Sequence, residues 1–299
     1  VAFERCFINW TKALAASMEG KLIAIDGKTL RRSFDHAWSK QQALHLVSAF
    51  CGENQLVLGQ LAVDSKSNEI TAIPALLELL NIKGAIVSID AIGCQKEIAG
   101  KIREKKADYL LAVKENQPIL HEKVQMLYRE MVLEQSKGSS AMRYDFVSQT
   151  EQGHGRIETR KVWVTDEVNW LGKELLGQWL DLSSIVLVES TRQDLGDPAG
   201  KITCEQRYYI SSVKGCDAGK MGQAVRGHWG VENQLHWRLD MSFREDESRL
   251  RKGHAAQNFS RLRRIVINQL KNDPRKVSLK VKRYRCSIDR DYLLERLKQ

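Results

Sequence analysis

The sequence predicts an α/β fold in which a mixed sheet carries acids at the ends of its strands, and three observations predict it. Leu22-Ile23-Ala24-Ile25-Asp26-Gly27-Lys28 is an apolar run that delivers one carboxylate, then a glycine and a base. Ala85-Ile86-Val87-Ser88-Ile89-Asp90-Ala91-Ile92-Gly93 repeats the design. Short apolar runs of this kind read as buried strands, and the residues around them keep the apolar spacing of helices. Paired side by side, the two strands bring Asp26 and Asp90 to one sheet edge. Two carboxylates so close repel unless cations sit between them, so the pair points to a hard divalent metal. Taken singly, each Asp reads as a cap of the turn or helix that follows it. Two acids at matching strand ends favour the metal.

The elements follow in order. Residues 1–19 read as a helix, with Phe3, Phe7, Trp10, Leu14 and Met18 at helical spacing. Ala43–Cys51 and Gln55–Val63 read as the second and third strands, with hairpin chemistry at Cys51-Gly52-Glu53-Asn54, so strands one to three are antiparallel neighbours. A helix opens at Ser67-Asn68-Glu69-Ile70 and runs through Leu80, with Ser67 as its cap and Pro74 in its first turns or bending it. The fourth strand ends at Asp90; Gln95–Lys106 is a helix and Asp108–Lys114 the fifth strand. The order β-β-β-α-β-α-β is that of a ribonuclease H-like fold. A long helix from Pro118 to about Gln135 ends at Lys137-Gly138-Ser139-Ser140. In 142–213, Val, Thr, Tyr and Trp alternate with polar residues, which reads as a mostly β insertion with a turn at Gly196-Asp197-Pro198-Ala199-Gly200. Helices resume near Ala218. The expected division is therefore 1–19, the remnant of an N-terminal helical region; 20–141, the first part of the core; 142–213, the β-rich insertion; and 214–299, a helical part with a basic tail.

With 299 residues, 42% of them hydrophobic, the chain can bury one large domain or two moderate ones. Lys and Arg number 47 against 37 Asp and Glu, a net charge of +10. That balance suits a polyanionic partner, although charge alone also fits a protein that is merely basic. Cys6, Cys51, Cys94, Cys204, Cys216 and Cys286 form no C-x-x-C pair and follow no signal peptide, so reduced thiols in the cytoplasm are expected. No apolar run reaches the ~18 residues of a membrane span, so no membrane partner is expected. Val1 falls inside helix-like sequence, so a further segment is expected ahead of it.

After the insertion comes Arg226-Gly227-His228-Trp229-Gly230-Val231-Glu232-Asn233-Gln234-Leu235-His236-Trp237-Arg238-Leu239-Asp240. This stretch joins Ile25-Asp26-Gly27-Lys28, Lys66-Ser67-Asn68-Glu69-Ile70, Ile89-Asp90-Ala91-Ile92-Gly93-Cys94-Gln95, Asp108-Tyr109, Lys114-Glu115-Asn116-Gln117-Pro118 and Gly153-His154-Gly155-Arg156-Ile157-Glu158. Together these resemble the DDE-type insertion-sequence transposases, in particular the H-repeat-associated branch, over nearly the whole chain. The resemblance implies a ribonuclease H-like core with a β-rich insertion before the helix of the last acid. It implies Asp26, Asp90 and Glu232 as the catalytic and metal-binding triad, and an N-terminal region largely absent here. Related transposases set a Tyr, an Arg and a Lys around the last acid. Val225, His228 and Arg238 are assigned to those places, so the trailing base fits and the two leading positions depart, with Arg226 as a neighbouring substitute charge. From the residues alone Glu232 lies between His228 and His236 at i−4 and i+4, which suggests a histidine–carboxylate metal site. The competing reading is a helix packed through Val231, Leu235 and Leu239 with a polar rim, and H-E-x-x-H zinc spacing is lacking.

The implied chemistry is cleavage of a DNA phosphodiester followed by strand transfer into target DNA. Mg²⁺ is the expected ion, with Mn²⁺ as substitute. The implied partner is double-stranded DNA, at element ends and target, with a homodimer left open. Lys28, Arg31, Lys114, Asn116, Arg156, Arg226, His228, Trp229, Asn233 and Arg238 are the expected DNA contacts. Trp229 and Trp237 could stack on a base, Trp237 reading rather as core. Arg261, Arg263 and Arg264 read as a phosphate-binding face, with Phe259, Leu262 and Val266 burying the opposite side. Two other readings stay open: an inactive DNA-binding remnant, and a nuclease that cuts without joining.

Overall fold

In the computed structural model, residues 2–15, 17–34, 43–63, 68–138, 142–153, 155–196 and 202–298 are described. The chain forms two compact units, one of residues 1–85 with 227–299, the other of residues 86–226.

The first unit holds an antiparallel meander of β1 (Leu22–Thr29), β2 (His45–Cys51) and β3 (Leu56–Ala62). The expected hairpin is present. Asp26, however, stands inside β1 and not at its end. The ladder continues past it, with Gly27 opposite Val47 and Lys28 opposite Leu46. Helix α1 (Ala2–Leu14) lies along β3, and Thr11 Oγ1 donates to the Leu58 carbonyl at 2.7 Å. Helix α2 (Glu69–Leu79) contains Pro74 and is capped by Asn68, whose side chain accepts from Ile70 N–H at 3.1 Å. Ser67, the expected cap, lies outside the described residues.

The second unit opens with β4 (Ile86–Ile89), which pairs in parallel with β5 (Asp108–Val113) across α3 (Lys96–Glu104). Helix α4 (Pro118–Lys137) starts on a proline and stops at Gly138, whose φ of +65° is the left-handed cap that glycine adopts freely. The β-rich stretch supplies β6 (Asp145–Gly153), β7 (Arg156–Thr165), β8 (Ser184–Asp194) and β9 (Thr203–Ser211), with the single turn α5 (Lys173–Leu176) between β7 and β8. β9 pairs antiparallel with β5, so these strands extend the β4–β5 sheet in the order β4-β5-β9-β8-β7-β6. The turn expected at Gly196–Gly200 lies largely outside the described residues. Helix α6 (Ala218–His228) follows. Three antiparallel strands, then a parallel pair reached through helices, make the architecture ribonuclease H-like.

The C-terminal helices complete the first unit. The expected single helix through Glu232 is broken into a π-helical segment (Val231–His236) and α7 (Trp237–Phe243). Val231, Leu235 and Leu239 are fully buried against Phe7, Phe50 and Val57, as their spacing predicts. Trp237 is not core: it is 58% exposed, because two residues beyond the buried Leu235 it falls on the opposite side of the helix.

The first half of helix α8 (Ala255–Lys271) inverts its expected polarity, while Val266 packs against the core as expected. Arg261, Arg263 and Arg264 are buried, while Phe259 and Leu262 are exposed. The cause is a buried acid. Helix α7 ends at Arg244, whose φ of +50° turns the chain inward and buries Glu245. The Glu245 carboxylate accepts from Ser260 Oγ at 2.8 Å and from Arg264 Nη1 at 3.2 Å, with Arg263 Nη1 at 3.6 Å. Arg261 pairs with Glu4 of α1 at 2.6 Å. Phe259 keeps partial cover, with the Arg263 guanidinium 4.6 Å from its ring centre. Two further helices, α9 (Leu279–Ile288) and α10 (Arg290–Leu297), end the chain's described part.

Glu245→Gln removes one buried charge at constant size and leaves two guanidiniums without their anion. The expected loss is about 3–5 kcal/mol of unfolding free energy. Chemical denaturation of the two proteins measures it, and a loss below about 1 kcal/mol would show that Glu245 is not the anchor of α8.

Candidate active site

Asp26 sits on β1 opposite Ser48, with its Oδ1 accepting from Gly27 N–H at 2.8 Å. Gly27 is required by close approach: a Cβ there would fall 2.1 Å from Glu69 Oε1 and 2.5 Å from His45 Nε2. Those two side chains meet over the glycine at 2.6 Å, and His45 Nδ1 lies 2.7 Å from Thr29 Oγ1. His236, on the π-helical segment, brings its Nδ1 to 3.6 Å from Asp26 Oδ2. Burial, with the electrostatic influence of Arg264, Lys28 and His45 behind it, pushes this imidazole down to about 3. It is therefore neutral at pH 7 and adds no positive charge beside Asp26. Its Nε2 is buried without a hydrogen-bond partner among the described residues.

Lys28 follows Asp26 by two residues and so shares its face of the strand. Its ammonium is buried and held by Asp240 at 2.8 Å and Asp246 at 3.1 Å. It is thus not the exposed phosphate contact expected from sequence; two acids beyond Glu232 in the chain engage it. Arg31 reaches the same Asp246 at 3.1 Å, with its side chain mostly exposed.

Glu232 is exposed on the π-helical segment. Its carboxylate has no hydrogen bond or ion pair among the described residues, unlike most acids of this unit. Asn233 and Trp229 are exposed beside it, and His228 is half-buried. Among the described residues His228, Glu232 and His236 form no group that could hold a metal ion. His236 instead faces Asp26. Arg238 is half-buried, and burial lowers its pKa. The trailing place assigned to it falls, counted through, on the fully buried Leu239. Gly227, just before, would meet Leu22 Cδ2 at 2.5 Å if it bore a Cβ, so the chain passes close to β1 there.

In the second unit, Asp90 follows the last residue of β4, as expected. Its side chain makes no capping bond to the turn Ala91–Gly93, so the capping reading fails for it. Asn116 and Gln117 fix the loop that follows: Asn116 Nδ2 donates to the Ala91 carbonyl and Gln117 Nε2 to the Cys94 carbonyl, the latter at 2.9 Å. Asn116 was expected at DNA and instead holds this loop. Lys114 is exposed, as is Arg156 at the tip of the β6–β7 hairpin. Arg226 is paired with Glu151 of that hairpin, Nη2 to Oε2 at 2.7 Å, so its charge is already partnered.

Sequence reasoning named Asp26, Asp90 and Glu232 as candidate acids and His236 as a neighbour of Glu232, and it did not mark His45, Glu69, Asp240 or Asp246 as site residues. Glu69 and Asp240 lay inside the motif-bearing stretches, which was their only signal. Among the described residues no three His, Cys, Asp or Glu side chains form a group that could hold a metal ion. The donor chemistry of Asp26, Asp90 and Glu232, carboxylate oxygen throughout, is that of a hard divalent ion. No helix among the described residues is long and apolar enough to cross a membrane.

A family model described as "Transposase DDE domain" matches residues 17–269. The chain is 42% identical over 296 residues to "Putative transposase YncI" of Escherichia coli O157:H7, covering 99% of this chain and 73% of that protein. It is 41% identical over 292 residues to "H repeat-associated putative transposase YhhI" of Escherichia coli (strain K12), covering 97% and 75%. A cryo-EM structure of the piggyBac transposase synaptic complex with hairpin DNA is similar at a TM-score of 0.44 and 11% identity, over 94% of this chain and 55% of that one.

His236 makes stability depend on pH. Its folded pKa of about 3 lies below the ordinary value of 6.5, so between those values the unfolded chain binds the proton and the folded one does not. Stability therefore falls as pH falls through that window, by up to about 1.4 kcal/mol per pH unit from this group. His236→Gln removes that part of the slope. Thermal melts from pH 7 to pH 4 would read it, and equal slopes in both proteins would refute the buried neutral imidazole.

Proposed function

This chain belongs to the DDE transposase family, and on that premise we propose that it cuts DNA strands and joins the freed ends to target DNA, with Asp26, Asp90 and Glu232 as its acids. The observation that carries the reading is the contrast among carboxylates. Asp240, Asp246 and Glu245 are held by basic side chains, whereas Glu232 stands exposed and unpartnered among the described residues. A carboxylate kept without a cation, next to a segment whose His236 reaches Asp26, is suited to receive one. Mg²⁺, or Mn²⁺ in its place, would supply Lewis-acid stabilisation of the attacking and leaving oxygens when held by these acids.

The chain's own residues do the rest. Neutral His236 borders Asp26 without adding positive charge. Lys28 ties β1 to Asp240 of α7 and so fixes the strand that bears Asp26. Asn116 and Gln117 hold the loop after Asp90. Arg31, Lys114, Arg156 and Arg238 are the bases we assign to phosphates, and Asn233 and His228 are further residues we assign to DNA. Trp229 and Trp237 present rings on which an unpaired base can stack. Residues 142–213 act as the insertion between the second and third acids. Duplex DNA is the partner, a homodimer the assembly that would hold two ends, and the cytoplasm the compartment.

Glu232→Gln tests the acid without altering size or helix propensity appreciably. With DNA carrying the element ends and Mg²⁺, strand cleavage should fall by orders of magnitude while DNA affinity and melting temperature hold. Unchanged cleavage in the folded variant ends the assignment of Glu232. In the wild type, cleavage without joining marks a nuclease, and binding without cleavage an inactive remnant.

A further inference from the structure

Two cations meet on one neutral oxygen at the turn between β2 and β3. Gln55 occupies that turn with φ of +51°, a left-handed conformation uncommon outside glycine and asparagine. Its side-chain oxygen accepts from Lys271 Nζ of α8 and lies 3.4 Å from Arg238 Nη1 of α7. Asn268 fixes where α8 presents Lys271. It stands one turn earlier and grips the main chain of Val57 on β3 through both atoms of its amide, at 2.9 and 3.0 Å.

No carboxylate neutralises the pair among the described residues. Glu53, the acid of the turn, is directed at the Leu22 N–H at 3.3 Å. Lys21 Nζ adds a third base to the turn and also takes a neutral acceptor, Asn54 Oδ1 at 3.0 Å. Lys282, behind Lys271, gives its protons to the Leu270 and Asp273 carbonyls at 3.2 and 2.7 Å, and its own acid is Asp273, whose carboxylate lies 3.9 Å away. Partial burial and the like charges of Arg238 and Lys282 lower the Lys271 ammonium to about 8. This sets the pair apart from Lys28, Arg261 and Arg264, each of which meets an acid. Like charges gathered on a neutral amide are unfavourable until an anion joins them, and ammonium and guanidinium both keep free donors for one.

We propose that Arg238, Lys271 and Gln55 form a phosphate-binding site that takes a backbone phosphodiester of bound duplex DNA. The anion site stands on the geometry above; DNA as the source of the phosphate rests on the strand-transfer reading. An Arg–Lys pair around one acceptor suits phosphate, which takes both a forked guanidinium and a point charge.

Gln55→Glu supplies the missing anion from within. It should raise the melting temperature, because both cations gain a carboxylate, and weaken duplex binding by about tenfold or more, because that carboxylate repels phosphate. Lys271→Gln removes the like-charge contact. It should leave the melting temperature equal or higher and reduce the slope of log affinity against log salt by about 0.9, one phosphate's share. Fluorescence anisotropy with a labelled duplex of arbitrary sequence, over a salt series, reads the binding. A lower melting temperature for Gln55→Glu, or wild-type affinity and slope in both variants, overturns the site. A wild type that binds no duplex but is stabilised by millimolar inorganic phosphate, with Gln55→Glu abolishing that stabilisation, keeps the site and overturns DNA as its ligand.

Discussion

The structure of the first unit depends on one buried acid. Glu245 is 1% exposed, and its carboxylate is surrounded by Ser260, Arg263 and Arg264. Burying an unpaired carboxylate would cost several kcal/mol, so α8 must turn its basic face inward and leave Phe259 and Leu262 at the surface. That orientation fixes α7 as well, because Glu245 directly follows its left-handed cap at Arg244. Asp240 of α7 then takes the Lys28 ammonium, and Lys28 lies two residues from Asp26 on the same strand face. The strand of the first acid is thereby tied to a helix more than two hundred residues away in the chain. A buried pair of this kind adds little net stability over a well-packed apolar contact. What it supplies here is a single allowed seating of α7 and α8 against β1.

Local chemistry made the strands and most helix ends legible. The hairpin at Cys51–Asn54, the parallel β4–β5 pair, the proline start and glycine stop of α4, and the alternating strands after residue 142 all follow from spacing and turn residues. The misreadings share one origin. A periodicity argument knows neighbours three and four residues away, and it assigns bases outward by default. Arg264 faces inward for Glu245, and Arg261 for Glu4, at separations no helical wheel contains. The π-helical segment was equally hidden, since one extra residue per turn changes which side chain meets which strand without changing composition. Asn116 belonged to a motif associated with DNA, yet its amide closes a loop onto Ala91. Asp26, Asp90 and Glu232 were picked out as candidates by apolar runs that deliver an acid and by a family-like motif, and His236 by its spacing from Glu232, whereas Asp240, which holds Lys28 of the Asp26 strand, carried no mark beyond its neighbourhood.

Net charge alone is a poor guide to where such a protein meets nucleic acid. The chain carries +10, but many of its bases are engaged internally: Lys28 with Asp240 and Asp246, Arg226 with Glu151, Arg261 with Glu4, and Arg263 and Arg264 with Glu245. Each of these would have to break a short contact before it could bind a phosphate, and the exchange of one anion for another yields little. Bases without an acid are different. Lys114 and Arg156 are exposed, and Arg238 and Lys271 gather on a neutral amide where each disfavours the other's charge. A phosphate arriving there gains two donors and relieves a repulsion that the free protein bears. Counterion release adds to that gain at low salt. The same reasoning applies with the sign reversed to Glu232, an acid without a base among many that have one. An unmatched charge is tolerated where a ligand completes it, and the segment that carries the unmatched acid Glu232 also carries Arg238, one of the two cations gathered on Gln55.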